Sequence, residues 1–466
     1  MRNIIIPSKF LLLALIFFSQ LTFPTSNNVF SQTKSENVAE QWALSQTEIE
    51  KFYREGELQA ALNKAQDAVS LAETAFGNAS LEAISSLLLQ AQIHSELDQL
   101  EEANQIYQTA LETTVSAYGE SNSTTLLVLD SYGQFLNSID PEMAEPILSE
   151  ALRLSDKEDP QLASRMKALG LNLQEMGRVG DAEKMLNESL KLFQTVLGKN
   201  EPETLSTMAL LAKLYMSQGK LKPAKKLFET TLPLMLDVLD KNNLLILESK
   251  ENLGEIFRQQ GSFSQAEKLF QETIKTATAE YGNEEPLVIQ AKSHLAQLYE
   301  DTGMLKKALA LHKQVYETDL AMLGENHPNT AGDLNNLASV RRRLGDYQKA
   351  ENLFRKSLEV MISSLGEDSP QSVSVMNNLA LLLENQGLYD EAEPLFKKAH
   401  TISEKIQGER HPTTLALLNN LAFLYESQGD FERSELNYRK VIQLNNEVFG
   451  EAHSNTLSNQ NNLAYL

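Results

Sequence analysis

The spacing of glycine and proline constrains this chain more than any other feature. Glycines stand at Gly198, Gly282, Gly324, Gly366, Gly408 and Gly450, each 42 residues from the next, or twice that where Asp240 takes a rung. A second ladder, Gly177, Gly219, Gly261, Gly303, Gly345, Gly387 and Gly429, keeps the same stride. Proline keeps it as well, at Pro160, Pro202, Pro286, Pro328, Pro370 and Pro412, with Leu244 and Ser454 in the missing rungs. Three ladders in one phase mark a repeat architecture. In such a chain no single unit buries its own apolar face, and only a stack of neighbours does.

Each rung has a mechanical meaning. Proline fits the first turn of a helix, where its missing N–H has no partner to lose. Glycine accepts the left-handed backbone that ends a helix. The predicted unit is therefore proline, helix A, glycine, helix B, glycine, as in Pro328, Gly345 and Gly366. Apolar residues within helix A agree: Leu418, Leu421, Ala422 and Tyr425 fall on one helical face, and Met376, Leu379, Ala380 and Leu383 repeat them one unit earlier. A small residue recurs as Gly170, Ala212, Gly254, Ala296, Ala338, Ala380 and Ala422, which predicts close approach of helix B. Helix B has its own small residue, Ala224, Ala266, Ala308, Ala350 and Ala392, followed four positions later by Phe228, Phe270, His312, Phe354 and Phe396.

A large residue, then Leu, a small residue and Tyr, then Gly-x-Tyr-x-x-Ala and an aromatic, resembles the tetratricopeptide repeat. The 42-residue stride, with Gly408-Glu409-Arg410-His411-Pro412 and Asn419-Asn420-Leu421-Ala422, resembles the kinesin-light-chain-type subgroup. The resemblance is strong from Gln161 to the end and weaker from Glu40 to Asp159. It implies an all-α fold: a right-handed superhelical solenoid of antiparallel helix pairs, about ten units and one terminal helix. The expected organisation is a signal peptide over 1–31, divergent units over 32–159 and regular units over 160–466, in one continuous solenoid. Gly119 to Gly198 is 79 residues, five short of two periods. The shortening is placed near Leu154 to Asp159. Pro233, inside a helix B, is expected to kink it.

The first residues read as an address. Arg2 and Lys9 flank the start, Phe10 to Phe18 is an unbroken apolar run, and Val29-Phe30-Ser31 suits a signal peptidase. The run is short for a membrane span. The expectation is an exported chain, periplasmic or secreted, beginning near Gln32, with no membrane span in the mature form. At the other end, Leu457 to Leu466 repeats the start of helix A and no helix B follows. A short cap, self-association through the open end, and an array truncated from a longer ancestor are the three readings.

The chemistry of a site is missing from the sequence. There are no cysteines, which removes thiolate nucleophiles, disulfides and zinc–thiolate sites. His327, His411 and His453 each precede helix A and are expected to cap or brace the loop. No zincin spacing, serine elbow or phosphate-cradling loop occurs. No catalytic residue, cofactor or metal is expected. The net charge of -22 disfavours a nucleic-acid partner.

A protein or extended peptide is the expected partner, which makes the chain a scaffold or adaptor. The alternative is a regulatory or sensor array working beside an effector enzyme. The resemblance implies that helix A lines a concave groove. Paired asparagines occur there at one phase: Asn335-Asn336, Asn377-Asn378, Asn419-Asn420 and Asn461-Asn462, with Asn252 at the matching second place. Asparagine is mildly unfavourable inside a helix, so the repetition asks for a reason. Either its amide pairs with the backbone of a bound peptide, or it bonds between neighbouring helices of the stack. The resemblance implies the first role for the second of each pair: Asn336, Asn378, Asn420 and Asn462. Arg342 and Arg343 could clamp a carboxylate or lie solvated beside Glu300 and Asp301. The varying row Lys213, Glu255, Gln297, Ser339, Leu381, Phe423 and Tyr465 turns apolar late, so an apolar side chain is expected near Leu381 and Phe423.

Overall fold

The structure is a computed structural model that describes residues 34–451 and 453–466. The expected signal peptide lies outside the described residues. These residues form helices and no strands, in two compact units that divide between Leu239 and Asp240.

The first unit holds α1 (Lys34–Arg54), α2 (Leu58–Phe76), α3 (Leu81–Glu96), α4 (Leu100–Tyr118), α5 (Ser123–Ile139), α6 (Pro141–Leu154), α7 (Leu162–Glu175), α8 (Val179–Val196), α9 (Pro202–Ser217) and α10 (Leu221–Val238). The second holds α11 (Leu244–Gln259), α12 (Phe263–Tyr281), α13 (Pro286–Asp301), α14 (Leu305–Leu323), α15 (Pro328–Arg343), α16 (Tyr347–Leu365), α17 (Pro370–Asn385), α18 (Tyr389–Gln407), α19 (Pro412–Gln428), α20 (Phe431–Phe449) and α21 (Ser454–Tyr465). Odd-numbered helices are the A helices and even-numbered ones the B helices. Among the described residues, ten pairs and one further helix match the count that the stride predicts. Within each unit every helix packs on the next, which makes an α-solenoid of stacked hairpins.

The core follows the predicted phase. Phe228, Phe270, Phe354, Phe396 and Tyr438 are fully buried, as are the small residues Ala224, Ala266, Ala350 and Ala392. Burying each large side chain contributes about 1.5–3 kcal/mol. Small residues on helix A are needed for contact. A Cβ placed on Gly254 would lie 2.8 Å from the Phe270 ring, and one on Gly170 would lie 3.0 Å from Leu186.

Proline opens α9, α13, α15, α17 and α19 at the first turn. Pro160 departs from this and sits in the turn before α7, which starts at Leu162. The two glycine ladders differ in a way the stride does not reveal. Between helices, Gly429 has φ 80° and ψ 12°, the left-handed helical conformation. After helix B, Gly408 has φ 91° and ψ 160°, an extended positive-φ region that is almost closed to side chains. The short repeat is α6, with 14 residues against 19 in α18. Pro233 lies inside α10, which continues to Val238.

Candidate partner-binding face

The loops that open the A helices fix where that face points. His327, His411 and His453 cap α15, α19 and α21, each Nδ1 accepting a backbone N–H two residues on, at 3.1 to 3.2 Å. This is the bracing role expected of them. A second lock was missed in the sequence: two residues after the proline, a hydroxyl donates back to the glycine carbonyl that ended the preceding helix. Thr204 reaches Gly198 at 2.7 Å, Ser372 reaches Gly366 at 2.8 Å and Thr414 reaches Gly408 at 2.9 Å. A hydroxyl residue recurring at that place in the stride was the available signal.

The asparagines form a ladder between consecutive A helices. Asn378 Nδ2 donates to Asn335 Oδ1 at 2.9 Å, and Asn420 Nδ2 donates to Asn377 Oδ1 at 2.8 Å. Each bond spans 43 residues, one more than the period, so the second asparagine of a unit reaches the first of the unit before. Asn377 Nδ2 also leans on Asn378 Oδ1 at 3.4 Å. The ladder ends at Asn419, whose Oδ1 is buried without a partner. Asn336, Asn378, Asn420 and Asn462 are half-buried. Asn252, far down the face on α11, donates within its own helix to the Glu248 carbonyl at 2.7 Å.

The two arginines separate. Arg343 donates to the Glu300 carboxylate at 3.2 Å and to the Glu300 carbonyl at 2.9 Å. Arg342 reaches only Asn385 Oδ1, at 3.5 Å, and its Nε is buried with no acceptor. Burial, then the adjacent Arg343 charge, lowers its pKa, though a guanidinium stays charged. Leu381 is half-buried against the core, Phe423 is 45 % exposed and Tyr465 is 88 % exposed. The row therefore becomes both more apolar and more open along α17, α19 and α21.

Towards α11 and α13 the same face is charged and tied up. Glu251, fully buried, is hydrogen-bonded to the His294 imidazole. Burial works against the imidazolium, but the Glu251 carboxylate outweighs it and raises the His294 pKa. Glu255 accepts from both Arg258 Nε and Nη2 at 2.8 Å, and Arg258 also pairs with Asp301. Burial opposes the Glu255 charge, yet the Arg258 and Gln259 hydrogen bonds hold its carboxyl below the usual value. Among the described residues no cluster of three or more His, Asp or Glu could hold a metal ion, and no helix is long and apolar enough to cross a membrane.

Comparison with known proteins agrees with this architecture. The tetratricopeptide repeat family model matches residues 161–237, 245–321, 321–363, 331–405 and 371–447. The apo form of the quorum sensor NprR from B. thuringiensis superposes with a TM-score of 0.57 at 17% identity, over 77% of this chain and 96% of that one. A Rap protein complexed with competence and sporulation factor gives 0.51 at 13% identity, over 88% and 98%. A Podosopora anserina putative kinesin light chain with nearly identical repeats gives 0.38 at 22% identity, over 43% and 95%. No curated protein matches this chain.

Proposed function

Because the chain belongs to the tetratricopeptide repeat family, we propose that it is a non-enzymatic scaffold that holds an extended segment of another protein along the A-helix face of its second unit. One observation carries the reading: Leu381, Phe423 and Tyr465 line up as an increasingly exposed apolar row, one helical turn from the asparagine ladder. Such a row offers pockets for apolar side chains. Arg342, whose Nη1 makes one long bond to Asn385, offers a cation beside the row. Support for a concave face comes from the A helices, since α11 with α13, α15 with α17, and α17 with α19 approach one another directly. Arg343, Asn252 and the amides of Asn378 and Asn420 act in this reading as the frame of the groove, because their donors already have partners. The acidic balance favours a protein over a nucleic-acid partner.

The partner would be met outside the cytoplasm, in the periplasm or beyond. The charged start followed by the Phe10 to Phe18 run supports export. Cell fractionation with amino-terminal sequencing checks this: a mature chain beginning near Gln32 in the envelope fraction supports export, and an intact chain in the cytoplasm rejects it.

Affinity capture from the envelope fraction tests the groove. Phe423→Asp should lose the proteins that the native chain retains, with helical circular dichroism unchanged. Retention of the same proteins by the variant, at the same yield, would reject the apolar row as the contact.

A further inference from the structure

One pair of positions recurs wherever a B helix meets the following A helix in the second unit, 14 residues apart. Between α16 and α17 the pair is Met361 and Val375, which share an apolar cluster. Between α18 and α19 it is Ser403 and Leu417, both buried. Between α14 and α15 it is Asp319 and Asp333. Neither aspartate escapes to water: they are 6 % and 8 % exposed. Two acids thus stand at the centre of a junction that elsewhere is apolar or neutral.

Their carboxyl groups are in hydrogen-bond contact with each other. An ionised carboxylate only accepts, so such a contact needs a proton on one partner. As a carboxylate, Asp333 Oδ2 is buried with no donor to accept from; a proton on Asp319 supplies one, and a proton on Asp333 itself makes that group the donor. Nothing cationic compensates the pair directly. The one further charge acting on it is the His327 imidazole at the head of α15, which favours the ionised Asp319. From α16, Ser357 and Met361 face α15, and both are uncharged. From α17, Asn378 meets Asn335, Asn385 meets Arg342, and the one charge felt is that of Glu384, which acts on Arg342 rather than on Asp333. On α13, Lys292 is buried, and burial alone lowers its pKa; its amine reaches Asn283.

We propose that the Asp319–Asp333 contact is a proton-dependent latch: one shared proton closes the α14–α15 junction, and its loss leaves two buried like charges that loosen it. Burial and then the Asp319 charge push Asp333 up to about 8, and burial likewise raises Asp319. A carboxyl raised in the folded state contributes stability that is complete below the ordinary aspartate value of about 4. That contribution drains away as pH rises through about 8. The latch works whether or not the A-helix face binds a peptide, although Asp333 lies on the helix that carries Asn335, Asn336 and Arg342.

Hydrogen exchange of the full chain, followed by mass spectrometry at pH about 5.5 and about 8.5 and corrected for the intrinsic rates, reads the latch directly. Peptides from α14 and α15 should lose protection roughly tenfold or more between the two conditions. Peptides from α18 and α19, built on Ser403 and Leu417, should not. D333N should abolish the loss. The double substitution D319M/D333V installs the pair of the α16–α17 junction and should do the same if D333N folds poorly. His294 on α13 sheds its proton in the same direction, so the comparison with these variants is decisive. Equal protection of the native α14–α15 peptides at both conditions would overturn the proposal, as would an undiminished loss in D319M/D333V.

Discussion

The end of α6 and the end of α18 close the same kind of hairpin with different chemistry. After α18 the connection is Gly408 to His411. It is held locally, by the positive φ of Gly408, the Thr414 hydroxyl on the Gly408 carbonyl at 2.9 Å and the His411 cap at 3.2 Å. After α6, whose helix is shorter, there is no positive-φ glycine and no hydroxyl on a glycine carbonyl; of the three devices only the cap has a counterpart, Asp159 Oδ1 accepting the Gln161 N–H at 2.8 Å. Instead Arg165 reaches out of α7 to gather the loop. It donates from Nε to Asp130 at 2.8 and 3.0 Å, and from Nη1 to Ser155 at 2.7 Å and Asp159 at 2.6 Å. Its side chain is only 5 % exposed. Burial opposes the charge of both Arg165 and Asp130; their pairing offsets it fully at the arginine and only partly at Asp130, whose pKa stays raised. A regular join rests on several neutral contacts, each replaceable. The irregular join adds one buried cation to its local turn contacts, and four bonds depend on that single side chain.

Breaking the two joins should therefore give very different results. Arg165→Met is expected to cost about 3–5 kcal/mol, since it strands two half-buried carboxylates, Asp130 and Asp159, without their partner. A lowered urea midpoint and exposed α7 amides would show it. If the loss is no greater than for a surface arginine such as Arg410, the charge cluster is not what closes the loop. In the regular half the largest cost should come from packing. Leu379→Ala removes a side chain that is 1 % exposed and should cost about 2–5 kcal/mol through the cavity left behind. An unchanged melting temperature would refute the helix-A phase. Next comes the backbone. Gly408→Ala forces a side chain into the extended positive-φ region and should cost about 1–3 kcal/mol. Asp98 in the first unit sits at φ 62° without being glycine, so Asp98→Gly should change stability less and in the opposite sense. The contrast is sharpest in Thr414→Val, which removes a hydroxyl bonded to the Gly408 carbonyl and to Ser403 Oγ and should cost about 0.5–1.5 kcal/mol for each bond lost. A loss from it as large as that of Arg165→Met would erase the distinction between the two joins.

Much of this was legible from the stride. The helix pairs, their number, the short sixth helix, the small residues under Phe270 and Leu186 and the capping histidines all follow from residues that recur at one phase. What escaped depends on rotation and reach rather than on period. The asparagine ladder runs 43 residues because neighbouring helices are offset, so the bond joins unlike members of two pairs. Arg342 and Arg343 are adjacent in sequence, yet only one turns towards Glu300. Arg165 falls at the phase of Asp333, but its partner Asp130 lies 35 residues back, off the 42-residue stride. The Asp319–Asp333 pair was visible in the stride but acquires meaning only when burial is known.

The hydroxyl-to-glycine lock has an evolutionary corollary. Where it occurs, as at Thr204, Ser372 and Thr414, the connection is sealed by groups within a few residues of it and makes no demand on the identity of the hairpins on either side. Unequal crossing-over between two such connections would yield a longer or shorter gene whose product still joins correctly. The array can thus be lengthened or trimmed in whole hairpins, except across the join that Arg165 holds, where a recombinant would inherit half of an ion cluster.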